Sequence, residues 1–233
     1  LLNPNGVLFG QGARVDVAGL VTSTLRLNDS DFLNSRYRFA GDAGSTATVR
    51  NEGSIKSAHG GQVLLLGAKV ENTGSVEAPG GNVTLSSARS VELVDTGLPN
   101  LAVRVDVPEG EVLNMGRLVA DGGSVDVFGA IVNQQGLVQA DTLAVDAQGR
   151  ITLKASDTLM LGTGSLTQAR GTSAGSRGGH VDLLGRNVGL DGTATVDVSG
   201  GAAGGGIRLG GGLMGRDSSV PNAQAVWFGP NAT

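Results

Sequence analysis

The sequence has few of the residues that carry most protein chemistry. It contains no cysteine among 233 residues, and aromatic and charged residues make up only 3% and 16%. The absence of cysteine excludes disulfides and cysteine-ligated zinc. The 17 Lys and Arg and 21 Asp and Glu give a net charge of −4, which argues against a nucleic-acid groove. No apolar run approaches the ~18 residues of a membrane-spanning helix.

Histidine is nearly as scarce. His59 and His180 are the only two, and each lies beside a Gly-Gly pair, so we expect exposed turn residues rather than metal ligands. The chain has neither an HExxH zinc motif nor a complete phosphate-binding loop. We therefore predict no metal site, no cofactor and no catalytic residues, and hence no enzymatic activity.

Glycine, in contrast, is abundant, with 40 residues. Two glycines, any residue and a short strand of alternating apolar residues form a unit that recurs. Its copies begin at Gly60, Gly80, Gly122, Gly178 and Gly204. The first two copies are 20 residues apart, and a period of this size built from strands and turns is typical of a solenoid. The sequence therefore predicts an all-β fold of stacked turns.

A second motif, Asn-x-Gly or a variant of it, precedes the strands. It begins at Asn51, Asn72, Asn114 and Asn133. Asn and Gly accept the positive φ that sharp corners require, so we expect these residues at corners between strands. With about 4.8 Å per stacked strand, nine to eleven turns would give a rod of roughly 45–50 Å.

Three stretches interrupt the period. Residues 24–44 hold nearly half of the aromatics, with a short helical turn expected after an acidic N-cap at Asp29. Residues 90–108 alternate around a Gly-Pro turn at 96–100 and predict a hairpin outside the coil. Residues 156–178 are rich in Ser, Thr and Gly and predict a loop.

Carboxylates leave a second function open, because polysaccharide-degrading enzymes also use β-helices and need two acids at a fixed separation. The candidates are Asp121, Asp126, Asp182 and Asp197. Stacking could align Asp126 with Asp182, although the outward face of any solvated strand gives the same pattern. The carboxylates therefore leave open, as an alternative function, a carbohydrate-directed β-helix that is either a glycan-binding adhesin or a polysaccharide-degrading enzyme.

The N-terminal segment carries a resemblance. Asn3, Pro4, Asn5 and Gly6 form the NPNG motif of the filamentous haemagglutinin family, the exoproteins of two-partner secretion (TPS). Residues 17–24, 31–33, 51–91 and 220–233 resemble the same family in the same order, so the resemblance covers essentially the whole chain. We expect residues 1–233 to form one TPS, haemagglutination-activity-type domain. The family's upstream NPNL motif is absent, so we expect a truncated N-terminus.

The resemblance implies a right-handed single-stranded parallel β-helix with extra-helical strands. It also implies a secretion-targeting and folding-nucleation function. In the periplasm of a Gram-negative bacterium, an outer-membrane TPS transporter would recognise the domain through Asn3, Pro4, Asn5 and Gly6. The parent protein would be a secreted or cell-surface adhesin, haemagglutinin or toxin whose other parts contact host or bacterial receptors or glycans. We expect a monomer. The motif also predicts a β-turn with Pro4 at its second position.

Overall fold

The structure is a computed structural model that describes residues 1–95, 100–142, 144 and 148–233. It is almost entirely β, with one short α-helix and one 3-10 helix, Leu213–Gly215. The elements in chain order are β1 (Val7–Phe9), β2 (Arg14–Val17), β3 (Leu20–Ser23), β4 (Arg26–Leu27), α1 (Asp29–Leu33), β5 (Tyr37–Ala40), β6 (Thr48–Asn51), β7 (Ser54–Ser57), β8 (Gln62–Gly67), β9 (Lys69–Asn72), β10 (Ser75–Glu77), β11 (Asn82–Val94), β12 (Ala102–Pro108), β13 (Glu111–Asn114), β14 (Arg117–Val119), β15 (Ser124–Gln134), β16 (Leu137–Gln139), β17 (Arg150–Leu161), β18 (Leu166–Gln168), β19 (His180–Leu184), β20 (Asn187–Leu190), β21 (Thr195–Asp197), β22 (Gly206–Leu209) and β23 (Ala225–Phe228).

The strands wind into a parallel β-helix with three faces. Sheet 1 stacks β1, β6, β9, β13, the second halves of β15 and β17, β20 and β23. Sheet 2 stacks β2, β7, β10, β14, β16, β18 and β21. Sheet 3 stacks β3, β8, the first halves of β11, β15 and β17, then β19 and β22. The predicted all-β parallel solenoid is confirmed.

The number of turns differs from the sequence prediction. The described residues form seven turns of three strands, and β23 begins an eighth. Nine to eleven turns is wrong because the period near 20 residues applies only to the turns themselves, and insertions such as the one that holds β4, α1 and β5 add residues without adding a turn. At about 4.8 Å per turn, seven turns span roughly 34 Å.

The interior is built from vertical stacks of aliphatic side chains. In sheet 1 the register places Val49, Val70, Val112 and Val132 directly above one another, and each is at most 1% exposed. Branched aliphatic side chains fill the narrow space between the sheets, and larger rings would not fit at this spacing. This geometry explains the scarcity of aromatic residues.

The Gly-Gly corners need glycine for two different reasons. The first glycine of the pairs at 60, 80 and 122 has a positive φ, which is +64° at Gly80. The second is pressed against the turn below, so a Cβ at Gly81 would overlap the carbonyl oxygen of Gly61. The Gly-Gly pair therefore recurs because one glycine is needed for the corner conformation and the other for the close approach of the backbones of successive turns.

The prediction that the asparagines of the Asn-x-Gly motifs adopt a positive φ at the corners is wrong. Among the described residues only Ser35 and Met214 are non-glycine residues with positive φ. Asn51, Asn72 and Asn114 instead point inward and form an amide ladder that ends at Gln134. The ladder amides are stacked at N···O distances of 2.8, 2.8 and 2.7 Å.

The first interruption packs on the flank of the solenoid. Strand β5 pairs with the outer half of β11 in an antiparallel sheet, and its Phe39 is buried. Helix α1 is present, but its N-cap is Asn28, whose side chain accepts from the Ser30 N–H, rather than the predicted Asp29. An uncharged amide oxygen therefore fulfils the capping function.

The second interruption is the predicted hairpin. The outer half of β11 pairs antiparallel with β12, while the turn at 96–99 lies outside the described residues. Strands β4, β5, β11 and β12 together form a four-stranded antiparallel sheet, which we call the flank sheet. It covers the outward side chains Leu64 and Leu66 of β8, both fully buried, and so creates a second core.

The predicted loop at 156–178 is wrong in its first half. This stretch contains the end of β17 and all of β18, while most of 169–178 is irregular. The Ser and Thr residues that suggested a loop alternate with the core residues Leu159 and Leu161. Hydroxyl-bearing residues are compatible with a strand face, so composition alone misled the prediction.

Candidate functional site

The NPNG segment forms the corner between sheets 3 and 1 of the first turn. The Asn3 N–H donates to the Ser23 carbonyl at 3.0 Å, which joins the segment to the end of β3. The Gly6 N–H donates to the Asn3 carbonyl at 3.2 Å and closes the predicted β-turn, with Pro4 at its second position. The φ of Gly6 is +127°, a value that a side chain at this position would strain.

The two asparagines of the motif have different surroundings. The Asn3 side-chain oxygen accepts the Asn5 N–H at 3.2 Å, so Asn3 stabilises the turn from within. The side chain of Asn5 makes no hydrogen bond to any part of the chain that the structure describes. Pro4 and Asn5 are both exposed. The turn therefore presents the Asn5 amide and the Pro4 ring to solvent.

An open depression of about 710 Å³ lies beside the turn. Residues 4–8 form one side, residues 45–48 the other, and Arg50 and Glu71 line it toward the next turns. Leu8, in the centre of β1, is 63% exposed there. The depression thus joins an exposed apolar side chain to polar backbone and to charge.

A row of ion pairs continues from this depression across sheet 1. Arg50 contacts Glu52 at 2.7 Å and Glu71 at 3.5 Å, and Lys69 contacts Glu71 at 2.8 Å and Glu111 at 3.5 Å. The hydrogen bond to Glu71 is the largest of the effects that raise the pKa of Lys69 above its ordinary value. The row carries more carboxylates than cations.

The candidate catalytic carboxylates lie on sheet 3 and sheet 2. Register aligns Asp126, Thr152 and Asp182, so the two acids are two strands apart, about 9.6 Å. Asp182 is 6% exposed and is held by Arg208 through two contacts of 2.6 Å, which makes it a structural ion pair. Asp121 and Asp197 belong to sheet 2 and its corners, away from this pair.

Burial raises the pKa of Asp126, and hydrogen bonds from Thr152 and Ser124 offset part of this effect. His59 and His180 are both exposed, as the sequence predicts. Within the described ranges, no cluster of three or more His, Cys, Asp or Glu could hold a metal ion. No helix in the same ranges is long and apolar enough to cross a membrane.

The sequence motifs led to the NPNG turn but not to the flank sheet. The signal was present in β8, where Val63, Leu64, Leu65 and Leu66 are all apolar although the other strands of sheet 3 alternate. A strand that is apolar on both sides is covered on both sides. The loss of alternation could have indicated that something packs on this face.

Comparison with known proteins gives two findings. Residues 1–112 match the family model of the TPS secretion domain. Among solved structures, the fold is similar to the crystal structure of the HMW1 secretion domain from Haemophilus influenzae, with a TM-score of 0.91 and 28% sequence identity. The similarity covers 99% of this chain and 62% of that chain. No curated protein matches this sequence.

The family match contains the NPNG turn, the first insertion and the first three turns of the solenoid. It also contains all four strands of the flank sheet, and the structural similarity extends the agreement to the remaining turns. Both findings confirm the resemblance predicted from the sequence. Residues 1–112 therefore carry the TPS secretion domain, a secretion-targeting module, and the whole chain has a fold similar to that of a solved secretion domain.

Proposed function

We propose that this chain is the secretion-targeting and folding-nucleation module of a large secreted surface exoprotein, and that the NPNG turn is read by an outer-membrane TPS transporter. The observation that carries the proposal is the match of residues 1–112 to the TPS secretion domain. The module would pass the periplasm of a Gram-negative bacterium. Adhesive, haemagglutinating or toxic activity, through host or bacterial receptors or glycans, would belong to other parts of the parent protein.

The geometry of the turn supports recognition at this position. Asn3 holds the turn closed, while Asn5 and Pro4 point outward beside the depression. A rigid, exposed turn presents a fixed shape to a partner without first having to be ordered. The two asparagines would therefore contribute in different ways, one by shaping the turn and the other by contacting the transporter.

The solenoid supports the folding-nucleation part of the proposal. Each turn pairs only with its neighbours, so a completed turn offers a ready edge to the next one. The absence of cysteine means that no disulfide can lock the chain before export.

The test is secretion of the parent protein, with its natural preceding segment, co-expressed with its outer-membrane transporter. We compare wild type with Asn5→Ala and Asn3→Ala. If the transporter reads the turn, Asn5→Ala lowers secretion at least tenfold, while the purified protein keeps its β-sheet circular dichroism and its thermal midpoint. Asn3→Ala lowers both secretion and the thermal midpoint, because it removes the bond that holds the turn.

The matched control is Asn28→Ala, which changes an asparagine at the N-cap of α1 in the flank insertion. It should leave secretion within twofold of wild type. Normal secretion of Asn5→Ala would show that the transporter does not read this side chain, and equal secretion of all three variants would refute recognition through the turn.

A further inference from the structure

The flank sheet ends in a free edge. Strand β12 pairs with β11 on one side only, and no hydrogen bond joins its outer backbone groups to the rest of the described chain. In an antiparallel pair every second residue of the edge strand points its N–H and C=O away from its neighbour. Seven residues, Ala102–Pro108, therefore offer a row of unused donors and acceptors.

The side chains on this strand are incompletely covered. Val103 and Val105 pack against the second core but remain only half-buried, whereas the valine and leucine of the central strand, Val91 and Leu93, are buried. An additional strand beside β12 would complete their burial in the way that β5 and β12 complete that of β11. Pro108 ends the strand and limits the length that can pair.

A groove separates the free edge from the solenoid. Its volume is about 260 Å³, with Val103, Val105 and Pro108 on one wall and Phe128 and Lys154 on the other. A strand paired with β12 would lie about 4.8 Å from it, above the outward face of β17. The groove therefore has room for an extended segment but not for a helix, whose diameter is about 10 Å.

The two exposed charges of β17 beneath such a strand are both positive, with Asp126 on the neighbouring strand β15. Along β17, Arg150 and Lys154 are exposed and point outward on either side of Thr152, because Ile151 and Leu153 between them are in the core. Neither cation forms an ion pair with the residues that the structure describes. Because alternate residues of a strand face the same side, acidic residues at positions i and i+4 of the incoming segment would pair with both cations, and an apolar residue at i+2 would contact Phe128.

We propose that the free edge of β12 and the outward face of β17 form a docking site for an extended segment of a partner protein, one whose residues facing the solenoid are acidic, apolar and acidic in turn. The segment adds a fifth strand to the flank sheet. Backbone hydrogen bonds to β12 supply affinity, and the cations of β17 select the acidic sequence. The surface lies apart from the NPNG turn, and the inference does not depend on the function proposed for that turn.

The test uses as probe a fluorescein-labelled, capped octapeptide of sequence Thr-Glu-Thr-Val-Thr-Glu-Thr-Val, which places Glu, Val, Glu and Val on one face. Fluorescence anisotropy gives the affinity, and amide hydrogen exchange locates the contact. We expect exchange in residues 102–107 to slow at least tenfold when the peptide is bound. A peptide with Lys in place of Glu should bind at least tenfold more weakly, and so should one N-methylated at alternate residues to block one hydrogen-bonding edge.

On the protein side, Arg150→Glu combined with Lys154→Glu should weaken binding of the acidic peptide at least tenfold. The matched control is Arg14→Glu combined with Arg117→Glu, which makes the same charge change on the exposed face of sheet 2 and should leave affinity within twofold. Lys154→Gln, a milder change, should give a smaller loss in the same direction. Circular dichroism checks that each variant is folded.

Several results would overturn the proposal. These are the absence of binding, equal binding of the lysine or N-methylated peptides, protection confined to residues outside β12, and affinity that is insensitive to the β17 variants. A concentration-dependent dimer that protects β12 without any peptide would assign the edge to a second copy of this chain and refute the proposed occupant.

Discussion

The amide ladder allows a quantitative prediction about the interior of the solenoid. Asn72 is fully buried, accepts from the Asn51 amide at 2.8 Å and donates to Asn114 at 2.8 Å. Asn72→Leu keeps the approximate volume but leaves one buried donor and one buried acceptor without their partners. With about 1–3 kcal/mol for each orphaned group, we expect a net loss of about 2–4 kcal/mol after the added apolar burial.

The end of the ladder provides the comparison. Within the ladder, Gln134 only accepts a hydrogen bond, from the Asn114 amide, and its own side-chain amide donates to the Gly136 carbonyl at 2.8 Å. Its neighbour in the next turn is Leu161, so the ladder ends here. Gln134→Leu therefore orphans one ladder group, the Asn114 donor. We expect about half the cost of Asn72→Leu, or roughly 1–2 kcal/mol.

Replacing all four ladder residues by leucine removes every ladder donor and acceptor together. Its cost should be well below the sum of the single changes, since a buried polar network that is entirely absent leaves few orphaned groups. The residual cost comes from the backbone partners of the ladder, such as the Gly53 N–H that Asn51 accepts.

Guanidinium unfolding followed by circular dichroism near 218 nm supplies the free energies, and hydrogen exchange in β9 and β13 shows where stability is lost. Equal costs for the central and terminal substitutions would refute the network reasoning. So would a quadruple variant whose destabilisation equals or exceeds the sum of the single changes, because the amides would then act independently.

Three further predictions concern stability. Thr167 is fully buried in a stack of valines, and its hydroxyl has no hydrogen-bond partner in the described chain. Because Thr167→Val removes this unpaired hydroxyl, it should raise the free energy of unfolding by about 1–2 kcal/mol. A lower denaturation midpoint would contradict this prediction. Gly81→Ala should abolish native circular dichroism or cost at least about 4 kcal/mol, whereas Gly10→Ala, with open space around its Cβ, should stay within about 0.5 kcal/mol in the same denaturation series. Since burial raises the pKa of Asp126, the folded protein binds more protons than the unfolded chain between about pH 4 and that raised pKa, and stability falls as the pH rises through this window. Asp126→Asn should therefore be more stable than wild type at pH 7, and the difference should disappear below about pH 4. A difference in stability that does not change with pH would refute the assignment.

The parts of the fold that could be predicted from sequence are those that only one residue type can satisfy. The Gly-Gly corners demand glycine both for positive φ and for close stacking, so they leave a periodic trace. The NPNG turn is similar, since Pro4 fixes one backbone angle and Gly6 occupies a conformation that other residues avoid. These constraints are local, and a single sequence records them.

The remaining features depend on contacts between distant segments. Asparagine is equally suited to a corner and to a buried ladder, and only the register of Asn51 over Asn72 decides between them. The pairing of β5 with β11 joins two insertions about fifty residues apart and has no local signature. The site follows the same division: the turn was found from its motif, but the free edge of β12 requires the assembled flank sheet.

The flank sheet also has a mechanical consequence. Force applied along the axis of a parallel β-helix peels the terminal turn, because the strands lie across the axis and only one row of hydrogen bonds is loaded at a time. Strand β5 lies in the insertion between the first and second turns, whereas its partner β11 belongs to the third turn. The antiparallel pairing of β5 with β11 therefore links the first two turns to the third. A force that pulls on the N-terminal end must break this pairing before the third turn can unfold, whereas the turns after the third unfold one at a time.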